Sequence, residues 1–233
     1  MTLPGIAVKS LVMDVLQTQS KRDKQSRIGA SGLVNPGDYC AANRLLGTPK
    51  LSSKWWLGAR IGTGIHSELE NEISKHVEEP QSSKFNMLKD AASEYKLFIY
   101  EMEGYGKINS TADLLVTNAL HLIDFKTSKK RQVDKYKLNG VPYQYVVQQQ
   151  LYAYGFNQLV PGLVKRISLM FINRDGSTSD DFWVHSFDYD EQVAVSALDR
   201  LEKLWQYVSN KDNDPEQLDS HPECFYCNMV LHR

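Results

Sequence analysis

The chain has 233 residues, with 27 lysines and arginines against 28 aspartates and glutamates and a formal net charge of −1. A chain of this length buries roughly 70–75% of the surface that its unfolded form exposes, so it needs neither disulfides nor a metal merely to fold. The balanced charge excludes a protein that is basic over its whole surface, and any nucleic-acid site must therefore be a local patch.

Hydropathy and cysteine content suggest where the protein acts. The longest apolar stretches fall far short of the ~20 residues that cross a bilayer, and the first residues lack the basic start and cleavage site of a signal peptide. We therefore expect a cytoplasmic protein that does not contact membranes. The three cysteines favour metal ligation or free thiols over a disulfide framework.

The first part of the chain is predicted to be helical. Apolar residues at positions 7, 11, 15 and 16 have helical spacing and precede a polar run at 17–27, which predicts an amphipathic helix and a flexible link. We assign residues 1–30 to this appendage and residues 31–233 to the main domain. That domain begins with a short helix over 39–46, capped by Asp38, and a long helix over 53–77.

The rest of the chain predicts strands and two more helices. Segments that begin at Tyr95, Ile108 and Leu120 are rich in β-branched and aromatic residues and predict three consecutive strands. A helix over 140–159, strands over 164–172 and 181–187, and a helix over 191–208 follow. The order is helix, three strands, helix, two strands, helix, which indicates an α/β domain.

Two aspartates and a lysine fall on neighbouring predicted strands. Asp113 lies in the second strand and Asp124 near the end of the third, so antiparallel pairing can bring the two carboxylates together. They would repel each other unless a cation neutralises them, and their hard oxygens suit Mg²⁺ or Mn²⁺. Strand alternation puts Lys126 on the same face as Asp124, where it could assist metal-dependent hydrolysis of a phosphodiester.

The pattern Asp124-Phe125-Lys126 is weak by itself. Glu94-Tyr95-Lys96 has the same form, with no carboxylate on a preceding strand to support it. An isolated match is most often an exposed ion pair worth about 0–1 kcal/mol. Asp124, however, follows the apolar run 120–123, so we expect its carboxylate at a strand end or partly buried beside a partner.

Four motifs then occur in a fixed order along the chain. They are Gly62-Thr-Gly-Ile-His66 on the long helix, Asp113 in STADLLV, Asp124-Phe-Lys126, and Gln150-Leu-Tyr-Ala-Tyr154 on the next helix. With these motifs in this order, the chain resembles the PD-(D/E)XK nuclease superfamily. Within that superfamily it resembles the RecB-like exonucleases, which include CRISPR adaptation nucleases and phage exonucleases. Many members have glycine where this chain has Ser110.

The resemblance implies a fold and a site. The implied fold is α/β, with a restriction-endonuclease-like core in which a central mixed β-sheet is flanked by helices in the order α-β-β-β-α-β. The implied roles are metal binding by His66, Asp113, Asp124 and the carbonyl of Phe125, catalysis by Lys126, and support of the site or DNA contact by Gln150 and Tyr154. From the residues alone, His66 could instead pair with Glu70, and Gln150 and Tyr154 could be ordinary packing residues.

A basic run follows the third strand. It contains Lys129, Lys130 and Arg131, with Lys135 and Lys137 just beyond. Such a run is usually a solvated loop. Beside a metal centre it could instead hold DNA phosphates and give salt-sensitive binding.

The cysteines suggest a second metal site. Cys224 and Cys227 have C-x2-C spacing, and with Cys40 and His232 they offer three thiolates and one imidazole. That set satisfies Zn²⁺ or, less commonly, an iron–sulfur cluster. The resemblance adds the 4Fe–4S cluster that joins the chain ends of some RecB-like nucleases, although those have three C-terminal cysteines. Three reduced cysteines without a metal are the alternative.

Together these features predict a divalent-metal-dependent DNA exonuclease. It would hydrolyse phosphodiester bonds at single- or double-stranded DNA ends in recombination, repair or replication, alone or with a recombination partner protein. Two alternatives stay open: a catalytically silent DNA-binding or assembly protein that retains the nuclease fold, and a restriction-type endonuclease. A compact build without a helicase would suit a phage or a mobile element.

Overall fold

The computed structural model describes residues 29–47, 57–78, 82–222 and 224. The predicted N-terminal helix lies outside these residues. The helices are α1 Ala30–Leu33, α2 Asp38–Leu45, α3 Leu57–Glu78, α4 Lys130–Asn139, α5 Tyr143–Leu159 and α6 Glu191–Ser209. The strands are β1 Ala92–Met102, β2 Gly106–Val116, β3 His121–Ser128, β4 Arg166–Asn173 and β5 Phe182–Asp188. Within the described ranges, every helix is too short or too polar to cross a membrane.

The five strands form one sheet in the order β1-β2-β3-β4-β5. β3 and β4 run parallel, whereas the other neighbours are antiparallel. Parallel neighbours need a crossover connection, and α4 and α5 provide it. The prediction of an α/β domain with a mixed central sheet flanked by helices is therefore confirmed.

Helices cover both faces of this sheet. On one face α5 and α6 pack through the larger core cluster, which includes Leu97, Leu151 and Leu201, each at most 1% exposed. On the other face α3 packs through half-buried residues such as Ile65 and Leu69 against a smaller cluster of buried side chains. Because the larger cluster removes far more apolar surface from water, it contributes most of the hydrophobic stabilisation.

The basic segment after β3, for which a solvated loop was one interpretation, forms the helix α4. Val133, 3% exposed, is its buried residue and packs with Leu169 and Phe171 on β4. The remaining α4 residues are largely polar, so the sequence has little helical periodicity of apolar residues there. Gly140, with a φ of 84°, follows the helix. The next helix consequently begins at Tyr143, after Pro142, and not at position 140.

Candidate metal centre

The two predicted aspartates lie where β2 and β3 separate. The ladder between these strands ends at Leu114 and Ile123, so Asp113 and Asp124 are the next residues on each strand, just beyond the last pair. Beyond this point the backbone N–H of Phe125 on β3 donates to Asp113 Oδ2 on β2 at 2.8 Å. This backbone-to-side-chain hydrogen bond replaces the backbone–backbone hydrogen bonds of the ladder. The gap between the strands therefore opens beside two carboxylates.

Asp124 is buried and held by two side chains. Lys126 Nζ lies 2.6 Å from Asp124 Oδ2, and Gln149 Nε2 donates to Asp124 Oδ1 at 2.7 Å. Asp124 is 2% exposed, and a carboxylate at that depth needs such partners. Asp124 and Lys126 thus share a face of β3, as strand alternation requires.

Lys126 is fixed as a cation beside this carboxylate. Burial favours the neutral amine, but the charge of Asp124 and the hydrogen bond to it outweigh that effect and raise the pKa of Lys126 above its usual value. Nζ also donates to Gln148 Oε1 at 3.3 Å and lies 5.2 Å from the centre of the Tyr145 ring. The ammonium group is therefore charged at neutral pH and held in place.

A histidine from α3 approaches Asp113 from the other side of the gap. His66 Nδ1 lies 3.6 Å from Asp113 Oδ2. Gly62, one helical turn before His66, permits this close packing, because a Cβ at that position would lie 2.8 Å from Thr127 Oγ1 on β3. The glycine in the motif thus has a steric explanation.

Glu94 on β1 joins the cluster. β1 pairs Ser93 with Leu114 and Tyr95 with Ala112, so Glu94 lies opposite Asp113. One ligand atom each from His66, Glu94 and Asp113 lie within 4.8 Å of one another. Glu94 has a φ of 45°, a left-handed conformation that costs a non-glycine residue roughly 1–3 kcal/mol and collects at functional sites.

The electrostatics of the cluster suit a cation. Burial, and after it the charge of Asp124, raise the pKa of Asp113 to about 7, against the lowering effects of the Phe125 N–H and of Lys126. A carboxylate that resists ionisation in this way is stabilised when a positive ion binds. Carboxylate oxygens suit Mg²⁺ and Mn²⁺, and an imidazole nitrogen is acceptable to Mn²⁺. The donor set of His66, Glu94 and Asp113 therefore fits a single divalent metal ion, whereas Asp124 lies outside this three-residue group.

The predicted supporting pair on α5 lies elsewhere. Gln150 Nε2 donates to Asp188 O at 3.0 Å, and Gln150 Oε1 accepts from the Asp190 backbone N–H at 2.9 Å. These bonds join α5 to the turn between β5 and α6. Tyr154 is half-buried and packs against the larger core cluster. Neither residue is placed beside the carboxylates.

A second glutamine–tyrosine pair with the same spacing faces the site. The run Gln148-Gln149-Gln150-Leu151-Tyr152 begins two positions before the predicted motif and shares three residues with it. Gln148 contacts Lys126, and its Nε2 donates to the Tyr152 hydroxyl at 2.9 Å. Ser110 on β2 also donates to that hydroxyl, at 3.0 Å. The network connects Lys126 to α5 and to β2.

Sequence reasoning missed four site residues: Glu94, Gln148, Gln149 and Tyr152. The sequence carried a signal for three of them, because Gln148 and Tyr152 repeat the glutamine–tyrosine spacing and Gln149 lies between. Glu94 required the pairing register of β1 with β2, which the sequence does not display.

The other predicted residues lie outside this cluster. Lys129, Lys130 and Arg131 are exposed around the first turn of α4, and Lys130 Nζ pairs with Asp134 at 2.7 Å. Cys40 and Cys224 are buried and pack together, and Cys224 Sγ donates to Asn35 Oδ1 at 2.8 Å. Cys227 and His232 lie outside the described residues, so the four-residue metal site stays a prediction.

Solved structures share this fold. The chain is similar to SSO0001, with 17% identity over 96% of this chain and 95% of that one and a TM-score of 0.50. It is similar to an alkaline exonuclease from Laribacter hongkongensis, with 11% identity over 79% of this chain and 88% of that one and a TM-score of 0.51. It is also similar to a candidate exonuclease from Eubacterium rectale, with 12% identity over 98% of this chain and 93% of that one and a TM-score of 0.51.

These likenesses are of fold. No protein-family model matches the chain, and no curated protein matches its sequence. The predicted resemblance to nucleases is confirmed as a fold shared with exonuclease structures. The chain has a nuclease-like fold with an acidic cluster where β2 and β3 separate.

Proposed function

We propose that the protein is a divalent-metal-dependent DNA exonuclease that hydrolyses phosphodiester bonds at DNA ends. The observation that carries this proposal is the position of Asp113 and Asp124 at the opening of the sheet, with Lys126 Nζ 2.6 Å from Asp124 and His66 Nδ1 3.6 Å from Asp113. The fold shared with exonuclease structures supports the same reaction class.

We propose five metal ligands, of which the side chains of His66, Glu94 and Asp113 lie within 4.8 Å of one another. The five ligands are His66, Glu94, Asp113, Asp124 and the carbonyl of Phe125. A bound Mg²⁺ or Mn²⁺ would supply Lewis acidity toward water and phosphate. Without it, the carboxylates repel one another, and burial together with the charge of Asp124 opposes the ionisation of Asp113.

Lys126 would act on the scissile phosphate. Its ammonium group is kept protonated by Asp124, so it can donate to a phosphate oxygen and stabilise the negative charge that develops in the transition state. Gln148 and Tyr145 restrict its position. Gln149 would act as a positioning residue, because it holds the Asp124 carboxylate.

A digestion series tests the proposal. End-labelled single- and double-stranded DNA would be incubated with the protein and Mg²⁺, Mn²⁺ or EDTA. We expect metal-dependent release of nucleotides, and a loss of at least about 100-fold in Asp124→Ala and in Lys126→Ala, the range seen when one transition-state contact is removed. The matched control is Lys96→Ala, because exposed Lys96 belongs to the similar Glu94-Tyr95-Lys96 pattern on β1.

Two results would contradict the proposal. One is unchanged cleavage by either variant, and the other is a wild-type protein that degrades no DNA with either metal. Circular dichroism of each variant checks that its fold is intact. Cleavage of closed circular DNA would assign an endonuclease in place of an exonuclease.

The second candidate is a DNA-binding or assembly protein that keeps the fold without turnover. Its support is that both oxygens of Asp124 already have protein partners, Lys126 and Gln149, without a metal. DNA binding in EDTA that is followed by no cleavage after metal addition would favour this candidate. Roles in recombination, repair or replication, a recombination partner protein and a cytoplasmic location are proposals that rest on the sequence alone.

A further inference from the structure

A groove on the outer face of α4 begins at the end of β3, the strand that carries Asp124 and Lys126. Its volume is about 770 Å³, and it starts at Ser128, two residues beyond Lys126 on β3. Four cationic side chains line it: Lys129, Arg131, Lys135 and Arg174. Among the described residues, none of these four has an ion-pair partner.

Helix geometry separates this groove from the rest of the basic run. Arg131, Lys135 and Leu138 are spaced at i, i+4 and i+7, so they share one face of α4. Val133 points to the opposite side, into the core. Lys137 does not line the groove, although it has the same charge on the same helix. Only part of the basic run therefore lines the groove.

The acidic residue in the groove does not cancel these charges. Asp134 lines the groove, but its carboxylate is paired with Lys130 at 2.7 Å. Four positive groups consequently face one continuous depression, where a polyanion is attracted more strongly than on a convex surface.

A glycine on another helix leaves space for the Arg174 side chain at the groove. A Cβ on Gly58 in α3 would lie 2.7 Å from Arg174 Nη1, so the guanidinium occupies space that a larger residue would fill. The backbone N–H of Arg174 also donates to Ser128 O at 3.0 Å, which attaches this residue to the end of β3. Arg174 thus lies where the groove meets the strand that carries Lys126.

We propose that this groove binds the phosphate backbone of single-stranded DNA on one side of the scissile bond. The claim that the bound strand leads to the metal centre rests on the proposed function, whereas the claim that the groove binds single-stranded DNA does not. A groove of this volume accommodates a small ligand or a few nucleotides, and it is too small to enclose a duplex. Exposed Leu138, 85% accessible and part of the groove lining, offers a base an apolar surface.

The test measures binding by the full-length protein in EDTA, where no cleavage interferes. The probe is a short fluorescein-labelled oligothymidylate, titrated at several salt concentrations and followed by fluorescence anisotropy. We expect Arg131→Gln, Lys135→Gln and Arg174→Gln each to weaken binding about three- to tenfold and to reduce the slope of log K against log salt by about 0.7. Lys137→Gln is the matched control and should bind like the wild type.

A glycine pair tests the placement of Arg174. Gly58→Ala should displace the Arg174 guanidinium and weaken binding by no more than Arg174→Gln does, and it should add nothing in the Arg174→Gln background. Gly64→Ala is its control on the same helix, because a Cβ at Gly64 meets no atom within 4 Å.

Several outcomes would overturn the inference. They are wild-type binding by the three groove variants, an equal loss in Lys137→Gln, or a loss confined to a duplex probe. The result is separable from the proposed function: groove-dependent binding by a protein that never cleaves would sustain the groove and end the nuclease proposal. Metal-dependent cleavage together with unchanged DNA binding by the groove variants would support the nuclease proposal and overturn the groove.

Discussion

Asp113 and Asp124 have the same side chain and both follow the last pair of the ladder between β2 and β3, yet their surroundings differ. Asp124 is neutralised by Lys126 and hydrogen-bonded by Gln149. Asp113 is buried beside the Asp124 charge, and the Phe125 N–H does not fully compensate, so its pKa rises to about 7. Asp113 is therefore the residue at which proton loss and metal binding are coupled most directly.

This difference predicts how stability depends on pH. The pKa of Asp113 is about 7 in the folded protein and 3.8 in the reference state, so the folded state binds the proton more tightly. Without metal, the contribution of Asp113 to the free energy of unfolding is largest below pH 4 and falls as pH rises to about 7. Asp113→Asn removes that fall. Urea unfolding in EDTA at pH 5 and pH 8 measures it.

We expect the difference between the two pH values to shrink by on the order of 1–3 kcal/mol in Asp113→Asn. Asp212→Asn, at an exposed position, should leave the difference unchanged. An unaltered pH dependence in Asp113→Asn would mean that this carboxyl ionises freely in the folded protein.

At the level of elements, α5 explains both a success and a failure of sequence reasoning. Its existence was predictable from its length and its apolar residues. Its orientation was not predictable, because nine of the ten residues from Val147 to Phe156 are buried. The buried residues include three glutamines, at positions 148–150. A helix buried almost all round gives no apolar stripe that identifies the face toward the site. Only the three-dimensional structure therefore shows which of the two overlapping glutamine–tyrosine pairs faces the site.

The packing of α5 against β1 yields a prediction for Gly155. A Cβ there would lie 2.8 Å from the Phe98 carbonyl oxygen and 3.0 Å from Leu97 Cγ. Alanine normally stabilises a helix by about 1 kcal/mol relative to glycine, but contact with backbone cannot be relieved by a rotamer change, and overpacking costs about 1–3 kcal/mol. The difference of these two effects is a decrease of up to about 2 kcal/mol in the free energy of unfolding of Gly155→Ala, which urea titrations measure.

Gly64→Ala serves as the comparison, since open space surrounds that position on α3. It should be neutral or stabilising by up to about 1 kcal/mol. If Gly155→Ala proved as stable as Gly64→Ala, the close contact between α5 and β1 would be incorrect.

On the scale of the whole molecule, local patterns predicted the elements and non-local pairing decided the site. The sequence identified Asp113, Asp124 and Lys126, because these residues lie in two short predicted strands. Pairing of the two strands brings the aspartates together, and alternation puts Lys126 on the same face as Asp124. Glu94 was not, since its role depends on the register of β1 with β2 and on a left-handed φ of 45°. The helix α4 was missed because tertiary contact of Val133 with β4 stabilises a mostly polar segment.

The two faces of the sheet also differ in how firmly they are packed. α5 and α6 share the larger core, with many side chains fully buried, whereas α3 contributes residues that are only partly buried. Segments with few buried apolar contacts open at lower free energy than the core. Without metal, α3 should therefore exchange its amide hydrogens faster than α6.

Metal binding should reduce this difference, because His66 is the proposed ligand that α3 contributes. A ligand that binds only when α3 is docked stabilises the docked state by mass action. We expect Mn²⁺ to slow amide exchange in α3 around His66, as measured by hydrogen–deuterium exchange mass spectrometry, with α6 as the internal reference. His66→Ala should abolish the effect of Mn²⁺ while the fold persists. Slowing that survives in His66→Ala would show that the ion binds without α3, and the metal centre would then consist of strand residues alone.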